Sequence, residues 1–333
     1  MIKQQHSAGG RGWTAGIDVG GTKTLLCLTG PDGGIISKRK LDTLLGGEPG
    51  GFMSWLFAQL AQLCRDHGTE LAGLAGVGIG LPGVVDESSG ILSCAPALGW
   101  PEEDIRPWIR REYEGIVVLD NDVNMAALGE QAAGAAAGRE HFAMLTVGTG
   151  IGGALYLNGQ LYRGAAFAAG EFGYLLLEPD DLPSGEPGAA AQQFGALESK
   201  ASGTGIALEA ARCQADGPLC AVLSGLAAGG PVTAQHVFAA AAQGSGLCAR
   251  VLDRAFVLMA MAVANLAVTL NPQLVVLGGG VVDKNAEYAA ELARRVRALS
   301  PVAVDIRRAE LGNEAGAVGA AAAARRALFI SFF

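Results

Sequence analysis

The sequence predicts an α/β fold built from two similar halves. Short apolar runs that are typical of buried strands alternate with longer segments that repeat apolar residues at helical spacing. Two separate stretches also share one plan, in which a strand, a glycine-rich turn and two further strands follow one another. This repetition indicates an internal duplication, and we expect the two resulting domains to face a central cleft.

The first stretch begins at Thr14 and has Asp18 near the end of its first strand. Gly20-Gly21-Thr22 forms the turn, a second strand covers 24–29, and a third strand begins at Ile35. Because glycine has no Cβ, the backbone N–H groups of such a turn can approach phosphate oxygens closely. The turn therefore predicts a phosphate-binding site.

The second stretch covers residues 145–162 and contains the turn Gly148-Thr149-Gly150. Its middle strand ends at Asn158-Gly159, which is a strong hairpin signal. Gly148, Gly150 and Gly153 also fit the glycine spacing of dinucleotide-binding folds, but that pattern requires a helix next. Residues 154–157 indicate a strand instead, so we expect a second phosphate-binding turn rather than a nicotinamide site.

The rest of the chain alternates between helices and strands. The predicted strands cover 75–80, 116–119 and 274–277. The predicted helices cover 52–67, 123–137, 205–213, 234–243 and 255–270. The last of these is shorter than the ~20 residues that span a bilayer, and it contains Asn265, so it predicts a buried core helix.

The composition favours a globular protein with ligand-binding loops. Glycine accounts for 50 of 333 residues, about twice its usual ~7%, and it clusters in turns. The net charge of −8 is unlike the basic surface of nucleic-acid-binding proteins. The six cysteines have no C-x-x-C spacing, and the first residues lack a signal-peptide core. We therefore expect a cytoplasmic protein with reduced thiols.

Acidic residues stand at the ends of two predicted strands, where open α/β sheets bind ligands. Phosphoryl transfer needs a metal, a positioned hydroxyl and a carboxylate that accepts its proton. Asp18 is placed to help hold Mg²⁺, through water. In Asp120-Asn121-Asp122, an amide beside a carboxylate suits a sugar, although either residue type could equally cap the next helix. Lys23, after the first turn, is either a phosphate ligand or a surface lysine.

Together these motifs resemble the ROK family, which comprises sugar kinases and sugar-responsive repressors of the actin-like ATPase superfamily. The resemblance extends from about Gly16 to Ala324. The matching segments are the first phosphate motif at 17–23, the catalytic motif at 121–124 with Gly129-Glu130, the second phosphate motif at 148–153, the adenosine segment at 271–272 and 278–280, and the closing helix at 312–322.

The resemblance implies two actin-like, ribonuclease H-like domains. The N-terminal domain would comprise residues 12–124 and 312–330, and the C-terminal domain would comprise residues 125–311. We expect residues 1–11 to be a disordered tail. The resemblance also implies ATP and Mg²⁺ as cofactors and a homodimer. The acidic net charge and the short apolar run lead us to expect no nucleic-acid or membrane partner.

The resemblance further implies Asp122 as general base, Asn121 as a sugar ligand, and Glu171 and Glu198 as carboxylates that bind sugar hydroxyls. Gly83, in the loop after the strand 75–80, is counted with the substrate-binding residues. Glu171 has small and aromatic neighbours, which predicts a buried carboxylate that a bound sugar would stabilise. The expected nucleotide and phosphate contacts are Gly20, Gly21, Thr22, Lys23, Gly148, Thr149, Gly150, Gly152 and Gly279.

The chain departs from the family at Tyr174. The family usually has a histidine there, which contacts sugar and ligates a structural zinc together with three cysteines. The cysteine positions correspond to Ala189, Ala191 and Ala196, so no zinc site is expected. Tyr174 either replaces the sugar contact or packs in the core. The neighbouring loop would then be held by the packing of Leu175, Leu176, Leu177 and Phe194.

We therefore expect an ATP-dependent kinase for a hexose or N-acetylhexosamine, with glucokinase as the first interpretation. A sugar-binding transcriptional regulator and a non-catalytic sugar-binding protein are the alternatives. The repressors carry a helix-turn-helix ahead of the first phosphate motif. Only 17 residues precede Asp18, and they include Gly9, Gly10 and Gly12, so we expect no such segment here.

Overall fold

The computed structural model describes residues 12–93, 95, 97–181, 195–215 and 220–330. The predicted tail 1–11, and Ala189, Ala191 and Phe194 of the loop, lie outside the described residues. The chain divides into two compact units. Unit 1 comprises residues 1–137, 164–168 and 313–333, and unit 2 comprises residues 138–163 and 169–312.

Unit 1 is built on a five-stranded sheet with the order β3-β2-β1-β4-β8. Its hairpin strands pair antiparallel, whereas β1, β4 and β8 are parallel neighbours. Strands β5, β6 and β7 form a separate small sheet. The strands are β1 (Thr14–Val19), β2 (Lys23–Thr29), β3 (Ile35–Asp42), β4 (Gly76–Leu81), β5 (Val84–Asp86), β6 (Ile91–Ser93), β7 (Glu103–Asp104) and β8 (Ile116–Asn121). The helices are α1 (Pro49–Asp66), α2 (Arg106–Glu112), α3 (Asp122–Ala133) and, at the end of the chain, α11 (Ala315–Ile330).

Unit 2 repeats this arrangement with the sheet order β11-β10-β9-β12-β13. Again the hairpin is antiparallel and the remaining strands are parallel. The strands are β9 (Phe142–Val147), β10 (Ile151–Leu157), β11 (Gln160–Leu161), β12 (Leu274–Gly278) and β13 (Asp305–Arg308). The helices are α4 (Glu198–Ala201), α5 (Gly203–Ala215), α6 (Ala221–Ala227), α7 (Ala234–Ala242), α8 (Gly246–Leu270), α9 (Gly280–Asp283) and α10 (Tyr288–Leu299).

The two matching sheets confirm the predicted duplication of an α/β domain. The glycine-rich residues 148–153 lead into the strand β10 rather than into a helix. This excludes the dinucleotide-binding arrangement for this segment, because that arrangement needs a helix N-terminus directly after the glycines.

Helix α8 is the longest helix of the described residues and lies in the core of unit 2. It has 25 residues, so by length and composition it could cross a membrane, but 67% of its most apolar window is buried. The predicted run 255–270 was too short at its N-terminal end. Ser245 caps the helix there, because its Oγ accepts a hydrogen bond from the backbone N–H of Cys248 at 3.3 Å.

Helix α11 packs so closely against β1, β4 and α3 that backbone atoms are in direct contact. A Cβ on Gly16 would lie 1.8 Å from the carbonyl oxygen of Ala317, and one on Gly319 would lie 1.7 Å from that of Met125. Because α3 packs on α11, it belongs to unit 1, and the first unit extends to residue 137 instead of the expected 124.

Candidate active site

The first group of predicted site residues lies at the carboxyl edge of the unit 1 sheet. Since β1 and β8 run parallel, Asp18 near the end of β1 and Asp122 at the start of α3 lie at the same edge. Burial, followed by the negative charge of Asp122, raises the pKa of Asp18 to about 7. The backbone of α11 comes so close to Asp18 that a Cβ on Gly316 would lie 2.4 Å from its carboxyl carbon.

Asn121 is the N-cap of α3, as the simpler interpretation of the motif predicted. Its Oδ1 accepts hydrogen bonds from the backbone N–H groups of Val123 at 2.8 Å and Asn124 at 3.1 Å. Its Nδ2 donates to the carbonyl oxygen of Gly83 at 3.0 Å. An amide nitrogen has two N–H donors, so this bond uses only one of them. The cap fixes the start of the helix that carries Asp122.

Asp120 is a positioning residue to which the sequence analysis gave no role. It is almost fully buried at the end of β8. Its Oδ1 accepts hydrogen bonds from the backbone N–H of Asn121 at 2.8 Å and from Nδ2 of Asn124 at 2.7 Å. These bonds hold the turn between β8 and α3. The buried position of an acid at a strand end was the only signal that could have identified it.

The first glycine turn is closed by its own backbone and by Thr43. The N–H of Gly20 donates to the carbonyl of Lys23 at 2.9 Å, and Thr43 Oγ1 donates to the carbonyl of Gly20 at 2.7 Å. Lys23 is exposed and forms an ion pair with Asp42, which matches the interpretation as a surface lysine. Gly21 is half-buried and Thr22 is exposed.

The second glycine turn forms one wall of a cavity in unit 2. The N–H of Gly148 donates to the carbonyl of Gly150 at 2.9 Å, and the N–H of Gly203 at the start of α5 donates to the carbonyl of Gly148 at 2.8 Å. The cavity has a volume of about 580 Å³, within the ~300–1,000 Å³ of small-molecule sites. It is lined by Gly148, Thr149, Gly203, Thr204, Ala207, Leu208, Val232, Thr233, Ala234, Gln235, Gly280, Val281, Lys284 and Asn285.

Two of the predicted nucleotide residues, Gly148 and Thr149, therefore line one cavity. Gly279 adjoins it: its φ is +91°, and a Cβ there would lie 2.6 Å from the carbonyl oxygen of Val147. Only glycine allows the backbone that follows β12 to pass this close to the end of β9. Gly152 lies within β10 and outside the lining. The sequence did not identify Thr204, because nothing local marks the first turn of an alanine-rich helix as a ligand contact.

Glu198 lies against the second glycine turn. Its Oε2 accepts a hydrogen bond from the backbone N–H of Ile151 at 2.7 Å. A Cβ on Gly150 would lie 2.2 Å from the same oxygen. Gly150 therefore leaves the space that the Glu198 carboxylate occupies. The predicted phosphate motif required a glycine here for another reason, namely the close approach of backbone N–H groups to phosphate oxygens.

Glu171 is exposed, so its predicted burial was wrong. Its neighbour Phe172 is half-buried and packs against the core of unit 2 instead. The protein atoms around the carboxylate, and then the negative charge of Glu198, still raise the pKa of Glu171 above its ordinary value. The two glutamates that were predicted as sugar ligands are therefore close enough to interact electrostatically.

Tyr174 follows Glu171 in a single 3-10 turn, where its backbone N–H donates to the carbonyl of Glu171 at 3.2 Å. The residue is 45% exposed, so it is not a core residue. Leu175 and Leu177 are half-buried against the core as expected, whereas Leu176 is 53% exposed and does not anchor the loop. Within the described part of the chain, no three His, Cys, Asp or Glu side chains are grouped to hold a metal ion.

Three known proteins illustrate the similarity of the chain to others. A glucokinase from Halalkalibacterium halodurans is 31% identical over 92% of this chain and 93% of its own length. The crystal structure of a ROK family glucokinase from Streptomyces griseus, in complex with glucose and AMPPNP, superimposes with a TM-score of 0.77. It is 30% identical and covers 95% of this chain and 100% of its own.

A xylose repressor from Caldicellulosiruptor bescii is 27% identical over 79% of this chain but only 64% of its own length. The solved relatives have the actin-like ATPase fold, which agrees with the duplicated sheets described above. The model of the ROK family matches residues 14–327. The chain therefore belongs to the ROK family.

Proposed function

We propose that this ROK sugar kinase transfers the γ-phosphoryl group of ATP to a hydroxyl of a hexose, with glucose as the first candidate. The observation that carries the proposal is the pair Asp18 and Asp122 at one sheet edge of unit 1, where burial and then the negative charge of Asp122 raise the pKa of Asp18. The glucokinases among the relatives support the choice of glucose. An N-acetylhexosamine is the next candidate.

Asp122 acts as the general base. Its carboxylate accepts the proton of the sugar hydroxyl as the hydroxyl oxygen forms its bond to the γ-phosphorus of ATP, and ADP leaves with the electrons of the broken P–O bond. The α3 cap by Asn121 and the buried Asp120 hold Asp122 in place. Positioning of this kind is the main protein contribution to phosphoryl transfer.

Asp18 suits the role of a Mg²⁺ ligand through water. A partly buried carboxylate with a raised pKa gains from a nearby cation, and magnesium in kinases is usually held by one or two carboxylates together with phosphate and water. The ion supplies neutralisation of the phosphate charge. We expect the first glycine turn, with Gly20, Gly21 and Thr22, to donate backbone N–H groups to phosphate oxygens.

The sugar is held by Glu171 and Glu198, with Tyr174 donating a further hydrogen bond. We also assign Asn121, through its second amide N–H, and Gly83 to the sugar site. The nucleotide occupies the cavity beside Gly148 and Thr149, which Gly279 adjoins. Gly150 and Gly152 are assigned to the nucleotide by the sequence motif alone, since both lie outside the lining of the cavity. Lys23 contributes charge near the phosphates only if it leaves its ion pair with Asp42.

The proposal also includes a cytoplasmic homodimer that needs no zinc and binds no nucleic acid. A sugar-responsive regulator is the second candidate, since a xylose repressor matches most of this chain. The net charge of −8 favours the kinase, because DNA binding requires a basic surface. A non-catalytic sugar-binding protein would keep Glu171 and Glu198 but would have no use for the Asp18–Asp122 pair.

The decisive experiment measures ADP release with MgATP across a panel of hexoses and amino-hexoses. We expect glucose to give the highest kcat/KM, and the Asp122→Asn protein to serve as the blank. Sugar binding without ADP release from any member of the panel would contradict the kinase and favour the regulator or the binding protein.

A further inference from the structure

A cluster of ion pairs in unit 2 involves Glu178, Asp181, Lys200 and Arg254, and we refer to these four residues as the lysine clamp. Lys200 Nζ lies 2.8 Å from Glu178 Oε2 and also pairs with Asp181. Arg254 of the core helix α8 contacts the same Glu178 oxygen at 2.8 Å. The clamp thus joins three parts of unit 2, namely the segment 171–181, the helix α4 and the helix α8.

Asp181 is the most enclosed member of the clamp, with a side chain that is 2% exposed. Its Oδ2 accepts hydrogen bonds from the backbone N–H groups of Leu177 at 2.8 Å and Glu178 at 2.9 Å. Burial alone would raise its pKa, but the hydrogen bonds from Lys200 and from these two amides lower it below the ordinary value. The carboxylate of Asp181 therefore holds the backbone of the segment 171–181 and also forms an ion pair with Lys200.

The clamp lies close in sequence to both predicted sugar carboxylates. Lys200 follows Glu198 by two residues on α4, and Glu178 follows Glu171 in one short segment. Helix α4 spans only Glu198–Ala201, so hydrogen bonds within it do not set its orientation firmly. Residues 172–197 separate the two carboxylates along the chain, so their proximity depends on contacts between the two segments that carry them.

Glu171 and Glu198 also repel each other: the protein atoms around Glu171 raise its pKa most, and the negative charge of Glu198 raises it further. Attraction between Lys200 and the two acids Glu178 and Asp181 opposes this repulsion without placing a positive charge beside the sugar carboxylates themselves. Arg254 extends the connection to the longest core helix.

We propose that Lys200 is a positioning residue for the sugar, which holds the segment 171–181 against α4 so that Glu171 and Glu198 stay at the spacing that one sugar requires. The inference rests on the proposed function, since it assigns both glutamates to the sugar site. Lys200 acts through these glutamates and does not touch the phosphoryl group, so its loss affects sugar affinity and leaves the chemical step intact.

The test compares Lys200→Met with Lys200→Arg and with a matched control, using steady-state kinetics and calorimetric glucose binding. Lys200→Met keeps the length and apolar stem of lysine but removes its charge. We expect its KM and Kd for glucose to rise on the order of tenfold, which corresponds to ~1.4 kcal/mol of binding. The KM for ATP and kcat should stay within about twofold, and Lys200→Arg should restore glucose affinity.

The matched control is Arg295→Met. Arg295 is also mostly enclosed in unit 2 and joins Glu291 to Asp253, but it lies on α10, away from both sugar glutamates in the sequence. We expect it to lower the thermal midpoint without changing the Kd for glucose. If Lys200→Met fails to fold, Glu178→Gln removes the acid that Lys200 and Arg254 share and should raise the Kd for glucose.

Unchanged glucose affinity in a folded Lys200→Met protein, or an equal loss in Arg295→Met, would overturn the inference while the kinase stands. Glucose binding without phosphorylation by the wild-type protein would refute the kinase alone, because the Kd would still report on Lys200. A wild-type protein that binds none of the sugars would overturn both.

Discussion

The two units share one sheet order but differ at the same position in it. Asp18 of β1 pairs with Gly80 of β4, and Thr146 of β9 pairs with Gly278 of β12. Each residue stands two positions before its glycine turn. Unit 1 therefore has a carboxylate where unit 2 has a neutral hydroxyl.

The difference indicates how the duplicated domain has specialised. A carboxylate next to a polyphosphate is repelled unless a cation separates the charges, so an acid suits the unit to which we assign Mg²⁺. Unit 2, with the neutral residue, has the cavity of the second glycine turn and the two glutamates that we propose as sugar ligands. We therefore expect substitutions in unit 1 to reduce kcat and substitutions in unit 2 to raise a KM.

The largest effect is expected for Asp122→Asn in unit 1. The amide keeps the shape of the side chain but cannot accept the hydroxyl proton, so kcat should fall by about 10²–10⁴-fold. Glucose binding should persist by calorimetry. Asp86→Asn, at a half-buried aspartate of the same unit, is the control and should keep its kcat. A folded Asp122→Asn protein with nearly normal kcat would remove the chemical role from unit 1.

The second effect separates two neighbouring glycines of unit 2. In Gly150→Ala the new Cβ would meet Glu198 Oε2 at 2.2 Å, so the carboxylate must leave the N–H of Ile151. A hydrogen bond to a charged group contributes about 1.5–3 kcal/mol, so the KM for glucose should rise at least about tenfold.

Gly148→Ala is the matched variant, because a Cβ there meets no atom within 4 Å but adds volume to the cavity wall. It should raise the KM for ATP and leave that for glucose unchanged. If Gly150→Ala and Gly148→Ala changed the KM for glucose and the KM for ATP alike, the two glycines would not serve separate sugar and nucleotide sites.

A smaller effect is expected for Tyr174→Phe in unit 2. Loss of the hydroxyl should weaken glucose binding by the ~0.5–1.5 kcal/mol of one hydrogen bond, and kcat should be unaffected. Because Tyr174 is 45% exposed, the change should hardly alter the thermal midpoint. An unaltered KM for glucose would remove Tyr174 from the sugar site.

The pH dependence of Glu171 gives a further, modest prediction. Its raised pKa means that acidification protonates it above the ordinary value of 4.5, so the KM for glucose should begin to rise at a higher pH than for a free glutamate. The unfolded chain loses this proton first, so the folded state loses stability as pH increases from 4.5 through the raised pKa. Glu171→Gln should bind glucose weakly yet gain thermal stability relative to wild type across that window. A stability difference that does not vary with pH would contradict the shift.

The last prediction is an absence of effect. Since the segment Glu171–Glu198 contains neither Cys nor His, purified protein should hold well under one zinc per chain. Treatment with a chelator should leave the thermal midpoint unchanged. Stoichiometric zinc in metal analysis would mean that ligands from elsewhere reach this loop.

The fold was predictable because its signals are local. Turns such as Gly148-Thr149-Gly150, and the alternation of apolar residues around them, depend only on nearby residues. The cavity was not predictable in this way, since Thr204, Thr233 and Asn285 reach it from different helices or the loops beside them. Nor was the lysine clamp, because Lys200 and Glu178 are typical of a solvated surface when each is considered alone.

Glu171 illustrates the limit most clearly. Its apolar neighbours predicted burial, but Phe172 takes the space beside Gly153, where a Cβ would lie 2.1 Å from the phenylalanine ring. The residue as a whole is consequently left exposed, although the protein atoms around its carboxylate still raise its pKa. Adjacent residues in a tight turn point in different directions, so the polarity of neighbours in sequence does not determine the environment of one side chain.

The close packing of α11 has a consequence for the order of synthesis. Most of unit 1 leaves the ribosome first, yet Gly16 and Gly78 of its central strands pack on the backbone of Ala317 and Ala320. During translation, this face of the sheet has to wait for nearly the whole of unit 2 before its covering helix emerges. Nascent chains halted before residue 315 should therefore expose an apolar sheet face, whereas unit 2, which is continuous apart from residues 164–168, can already be compact.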